Sequence, residues 1–163
     1  MTTQSLPQAT HEHHALLLEH VNRIPAVADL LLVDAPGAPR GGIAELSAFL
    51  RGTLLPHMEA AEGAVYPELE RMLQNRHSMT PMRREHEEIR RLVAQFGTLT
   101  SDVRDGRLSL GRRLALRRVM FQLYALLKVH LAEEEAYVRL VDRGAGDEMG
   151  EAIAAAMAHP VAG

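Results

Sequence analysis

The chain has 163 residues, enough to bury one substantial core, and it is expected to form a single domain over residues 8–160. Apolar residues make up 47% and charged residues 24%, the balance of a folded soluble protein and not of a disordered one. The net charge of −3, with arginines scattered among acids, offers no handle for nucleic acid or an anionic membrane, and the lack of cysteine excludes disulfides, thiolate catalysis and thiolate-bound metal.

In chain order, the opening MTTQSLPQAT has no basic region followed by an apolar run, so no signal peptide is read there and a cytoplasmic protein is expected. Thr10 reads as the N-cap of a first helix over residues 10–33, with a kink expected at Pro25. The apolar run at the end of that helix contains Asp29 and is too short to span a bilayer. The Pro- and Gly-dense 34-DAPGAPRGG-42 is a loop, followed by a second helix over 43–73. Thr80-Pro81 reads as the N-cap and first position of a third helix over 81–100, and the turn 104-RDGRLSLG-111 leads into a fourth over 111–141. Asp147 caps a short fifth helix over 147–158. Nothing alternates with period two, and aromatic content is only 4%, so no sheet is expected. The predicted fold is all-α: an up-down-up-down four-helix bundle with a short additional C-terminal helix, as a monomer or weak homodimer.

Histidine is the unusual residue, with nine in the chain. In the fourth helix Leu116, Met120, Leu123, Leu127, His130, Glu134, Tyr137 and Val141 recur at steps of three and four, the spacing of a face turned into a bundle core. The first helix carries the seam His14, Leu17, Val21, Ile24, Ala28, Leu31. The second carries Ile43, Leu46, Leu50, His57, Ala61, Ala64, and the third Met82, His86, Ile89, Val93, Phe96. A lone histidine on an apolar face is usually a packed core residue with one hydrogen bond. Here each of the four seams holds one.

The spacing repeats. His14 and His57 are 43 residues apart and His86 and His130 are 44, each pair spanning one helical hairpin, with a carboxylate (Glu62, Glu134) soon after the second histidine. At about 1.5 Å rise per residue, the two histidines of each hairpin stand at nearly equal height from their turn. The middle connection fits less well, because Glu62 and His86 are not equidistant from the 75–80 loop, which must therefore fold back along the bundle. A buried carboxylate is costly unless paired or metal-bound, and no Lys or Arg lies on the seams near Glu134. Imidazole and carboxylate donors without thiolate suit iron, manganese or zinc, and four histidines with two acids suit two ions. Neither Glu-x-x-His nor His-Glu-x-x-His occurs in the chain.

These segments, 14-HALLLEHV-21, 57-HMEAAEGAVYPEL-69, 82-MRREHEEIRRL-92 and 123-LYALLKVHLAEEEAY-137, resemble as an ordered set the hemerythrin-like (HHE cation-binding) family, in particular its stand-alone bacterial members. The resemblance implies two non-haem iron ions, oxo- or hydroxo-bridged, inside a four-helix bundle, with ligands at His14, His57, His86, His130 and Glu134. It departs from the family pattern at Ala61, where a glutamate is expected. Glu62 is the substitute candidate and Glu59 another. A five-residue offset turns a side chain about 140° from His57 on a regular helix, so Glu62 requires a distortion, for which Pro56 and Pro67 provide the occasion as a kink or π-bulge. The second departure is Met82, where oxygen carriers have a further histidine. His13 and His20 are candidates to complete the coordination or to cap the rim, Tyr124 is a candidate hydrogen-bond partner near the metals, and His11, His77 and His159 are expected in solvent.

The expected function is a di-iron protein handling a small oxidant or gas (peroxide, nitric oxide or dioxygen), with catalase-like peroxide breakdown or nitric oxide handling preferred because Met82 leaves a coordination position open. The alternative is an iron or oxygen sensor, or an iron-binding protein without turnover.

Overall fold

A computed structural model describes residues 6–33, 40–101 and 108–144. Among the described residues there are four helical rods and no strand. The first, α1, is Leu6–Leu30, and the second, α2, covers residues 40–72. The third, α3, is Thr80–Thr100, and the fourth, α4, is Leu110–Gly144. Helix α4 packs along both α1 and α3, and α1 packs on α2. None of these helices is long and apolar enough to cross a membrane. The fifth helix expected over 147–158 lies outside the described residues, as do Val141's side chain and His159.

Among the described residues α1 already runs from Leu6, so Thr10 lies within it and is not its cap. It runs unbroken through Pro25 and closes at Leu31–Val33 with tighter i→i+3 bonds. Gly42 lets α2 come close to α1, since a methyl group there would meet Val27 Cγ1 at 2.9 Å.

Helix α2 is not uniform. It is α-helical over Arg40–Phe49, π-helical over Leu50–Leu54, α-helical over Leu55–Ala60, π-helical again over Ala61–Val65 and α-helical over Tyr66–Met72. Each π segment ends two residues before a proline, Pro56 and Pro67. A proline ring inside an α-helix clashes with the carbonyl four residues back. Opening the preceding turn to i→i+5 bonds, Leu55 N–H to Leu50 O and Tyr66 N–H to Ala61 O, removes that conflict.

The seams of α1 and α3 are buried throughout, as is that of α4 from Leu116 to Glu134. In α2 the seam holds from Ile43 to Ala61, but Ala64 is exposed and Val65 and Tyr66 are buried in its place. The extra residue of the second π segment moves the core face on by one. In α4, an α-helix throughout, the buried face passes from Glu134 to Val138 and leaves Tyr137 partly buried. The core divides into a large apolar cluster running along the rods and a smaller one of Ala61, Val65, Tyr66, Leu69, Met79 and Met82. Met79, in the connection before α3, is fully buried against that smaller cluster, so the connection folds back onto the bundle as expected. Between the two clusters lie the buried polar residues.

Candidate metal centre

His14 from α1, His57 from α2, His86 from α3, and His130 and Glu134 from α4 are each 6% exposed or less. They meet around Glu134. Its Oε2 lies 3.0 Å from His57 Nε2, 3.5 Å from His14 Nε2 and 3.9 Å from His130 Nε2. His86 Nε2 faces His130 Nε2 at 3.0 Å. Two groups of three donors result, His14–His57–Glu134 and His86–His130–Glu134, each with ligating atoms within 4.8 Å of one another. Glu134 belongs to both.

The outer nitrogens determine what the inner ones can do. His14 Nδ1 lies 2.9 Å from Glu135 Oε2, His86 Nδ1 lies 2.7 Å from Glu62 Oε1, and His130 Nδ1 lies 2.9 Å from Glu85 Oε2. An ionised carboxylate only accepts, so these three Nδ1 atoms carry the ring proton and donate it. In the neutral rings every matching Nε2 then presents a lone pair to the interior. His57 differs, its Nδ1 resting 3.2 Å from His13 Nε2.

Such an interior is short of protons. His86 and His130 bring two lone pairs to 3.0 Å, and His14 Nε2 is buried without a hydrogen-bond partner while facing a carboxylate oxygen. Converging lone pairs repel, and a buried acceptor with nothing to accept is costly. A cation placed among them turns each into a ligand, and outer carboxylates that fix ring orientation are the usual support of metal-bound imidazole. The residues present fit a metal ion.

The charge states agree. Burial opposes ionisation of Glu134, but His57 and His14 outweigh it and hold its carboxyl well below the usual carboxylate range. Burial and then His130 push His86 down to about 4, which leaves it neutral, the form that binds metal. Burial and then His57 do the same to His13, also to about 4. On His14 burial opposes the charge too, yet Glu134 and Glu135 overcome it and raise the pKa. Without a cation a proton is drawn to His14, so proton and cation compete there.

Tyr66 is the inner residue that the seam spacing did not single out. Its hydroxyl lies 3.1 Å from His86 Nε2 and 3.2 Å from Glu134 Oε1, and the ring is fully buried. Burial and then Glu134 push its phenol pKa up. A helical side chain leans toward the helix N-terminus, so the long phenol of Tyr66 reaches back over the turn that holds Ala61. The available sequence signal was the Tyr66-Pro67 pair, since a proline-induced extra residue moves Tyr66 onto the core face.

Several expected positions take other roles. Glu62 does not join the inner donors: it is partly exposed and holds the outer nitrogen of His86 and, at 3.0 Å, Arg90. The π segment begins at Ala61, so its extra residue shifts the positions beyond Glu62 and not Glu62 itself. Glu59 is exposed, and His20 is exposed and stacks on Phe49 at 4.6 Å, so neither reaches the centre. Tyr124 packs against the large apolar cluster. Met82 is buried beside Tyr66 in the smaller cluster. His13 caps the rim. His77 is exposed as expected, and His11 is exposed but bonded to Glu135 at 3.2 Å.

A bundle of four helices, each lending a histidine to a buried interior around one carboxylate, defines a cation-binding helical protein with a donor set that suits transition metals. The family model described as the hemerythrin HHE cation binding domain matches residues 6–136, and the chain belongs to that family. No curated protein and no solved structure matches it.

Proposed function

We propose that this is a non-haem di-iron protein that handles a small oxidant (peroxide, nitric oxide or dioxygen), with catalase-like peroxide decomposition as the preferred activity. The observation that carries the reading is Glu134, one buried carboxylate common to two three-donor groups, as a pair of bridged cations requires. His14, His57 and Glu134 would hold one ion, and His86, His130 and Glu134 the other. Imidazole with carboxylate and no thiolate suits iron, and also manganese or zinc; iron is preferred because its family is one of iron binders. The ions would supply Lewis acidity and an electron store for peroxide reduction.

The chain's own residues support a small reactant. The inner donors are buried, so only a molecule of few atoms reaches them through side-chain motion. Three protein donors on each side leave coordination positions free, and Met82, an apolar residue of the adjoining cluster, fills none of them. Glu62, Glu85 and Glu135 keep the rings oriented through their N–H groups. The reading includes an up-down-up-down course of the helices in a single domain over 8–160 and a monomeric or weakly dimeric cytoplasmic protein.

The test is iron analysis of the purified protein, followed by oxygen release on adding peroxide to the iron-loaded form. Iron is expected, with oxygen release abolished in His57→Ala and His130→Ala. Bound iron without release would leave an iron-binding or sensing protein. Release undiminished in both variants would remove the reading.

A further inference from the structure

We infer that Tyr66 is a cation ligand, its phenolic oxygen completing the donor set of His86, His130 and Glu134; this rests on the reading of the site as an iron centre. An ordinary core tyrosine satisfies its O–H on a backbone carbonyl or at the rim of the core. Tyr66 instead places its oxygen 3.1 Å from His86 Nε2 and 3.2 Å from Glu134 Oε1, both of them inner donor atoms.

With Nδ1 of His86 and His130 donating to Glu62 and Glu85, the phenol carries the one proton available to three inner acceptors: His86 Nε2, His130 Nε2 and Glu134 Oε1. A cation held by those acceptors takes the lone pairs on which the phenol proton rests. A Tyr66 that kept its O–H would then aim a donor at occupied acceptors in a fully buried position, a costly arrangement. Exchanging that proton for the cation, with the proton released to solvent, removes the conflict and offsets one unit of positive charge. Phenolate oxygen is an accepted iron donor, as in tyrosine-ligated haem.

The backbone holds the residue for this role. Tyr66 directly follows the π segment Ala61–Val65, its N–H bonds Ala61 O, and Pro67 fixes the next turn. Ala61, fully buried in the same cluster, leaves room for the ring, which stacks on His86 at 5.4 Å.

The experiment loads the 163-residue chain with ferrous iron in air and records its visible absorption and resonance Raman spectra. The expected result is a phenolate-to-ferric charge-transfer band with enhanced phenolate ring modes. Both are lost in Tyr66→Phe, while iron remains bound on the His14–His57 side. Iron-loaded wild type without the band, or a band that survives Tyr66→Phe, would overturn the inference while leaving the iron reading in place. Wild type that binds no iron would overturn both. The chain has three tyrosines, so Tyr124→Phe and Tyr137→Phe give a route that does not depend on the folding of Tyr66→Phe. A band retained in both belongs to Tyr66, and its loss in either assigns it elsewhere.

Discussion

On the His14–His57 side of Glu134 the outer nitrogens rest on Glu135 and on a second imidazole, His13, whereas on the His86–His130 side both rest on carboxylates, Glu62 and Glu85. The inner surroundings differ as well. Tyr66 stands over His86, while His14 Nε2 faces the centre with no hydrogen-bond partner. An anion behind an imidazole raises its basicity and locks its orientation, and a neutral imidazole does less. A pair of sites that share one carboxylate is thus unequal by construction. On the proposed reading, the side with two carboxylates and a phenol would hold its cation more strongly than the other.

The most severe way to break this comparison is to remove the residue common to both sides. Glu134→Ala is expected to abolish cation binding on both, read as iron-free protein by metal analysis. Retention of one ion per chain would show that the sides bind independently.

A smaller intervention acts on one side at a time. Glu85→Gln is expected to weaken cation binding on the His86–His130 side by about 10–100-fold, the usual cost of losing an outer carboxylate. His13→Gln should cost the His14–His57 side less. Titration of iron against a competing chelator measures both, and equal losses would erase the asymmetry.

Acid and base sharpen the comparison in the metal-free protein, because His14 and His86 titrate with opposite signs. His86 is lowered from 6.5 to about 4, so the unfolded chain binds more protons than the folded one in that window. Stability should therefore fall as pH drops from 6.5 toward 4, with His13 adding to the fall. His14 is raised, so its contribution is complete below 6.5 and is lost as pH rises through its folded value. Urea unfolding across a pH series checks this: His86→Gln should flatten the acid limb and His14→Gln the limb above 6.5. Matching slopes in wild type and both variants would refute the assignment.

The smallest effects belong to the residues that the structure places outside both groups. Glu59→Gln and His20→Ala should leave iron content unchanged and shift stability by no more than about 0.5 kcal/mol, as exposed substitutions usually do. His20→Ala loses only its stack on Phe49. A drop in iron content in either would place a donor where the geometry has none.

Much of the centre was legible because a core seam is a one-dimensional pattern. Steps of three and four selected Glu134 from the run of three glutamates at 133–135, and the structure buries that residue while Glu133 is exposed. The same steps selected His14, His57, His86 and His130, which the bundle brings together. The reading failed where α2 stops being an α-helix. Counting on a regular turn put Ala64 inside and passed over Tyr66, and the distortion expected near Pro56 and Pro67 is present as two π segments without carrying Glu62 or Glu59 to the inner donors. One extra residue per π segment changed the outcome at the positions downstream of it, and Glu62 lies at its beginning.

The outer shell was not legible for a different reason. Glu85 and Glu135 lie off the seams, where periodicity gives no reason to single them out, while Glu62 and His13 are candidates for the metal or its rim; each of the four finds its imidazole on another helix. The spacing of apolar and ionisable residues along each rod was sufficient to place the four described rods, most of the face each buries and the four histidines and Glu134 on those faces, because burial of a helical stripe is a local property of the chain. Only the packing of one rod against another decided which nitrogen of each ring faces inward and which oxygen stands beside Glu134, because those choices depend on atoms contributed by distant parts of the chain.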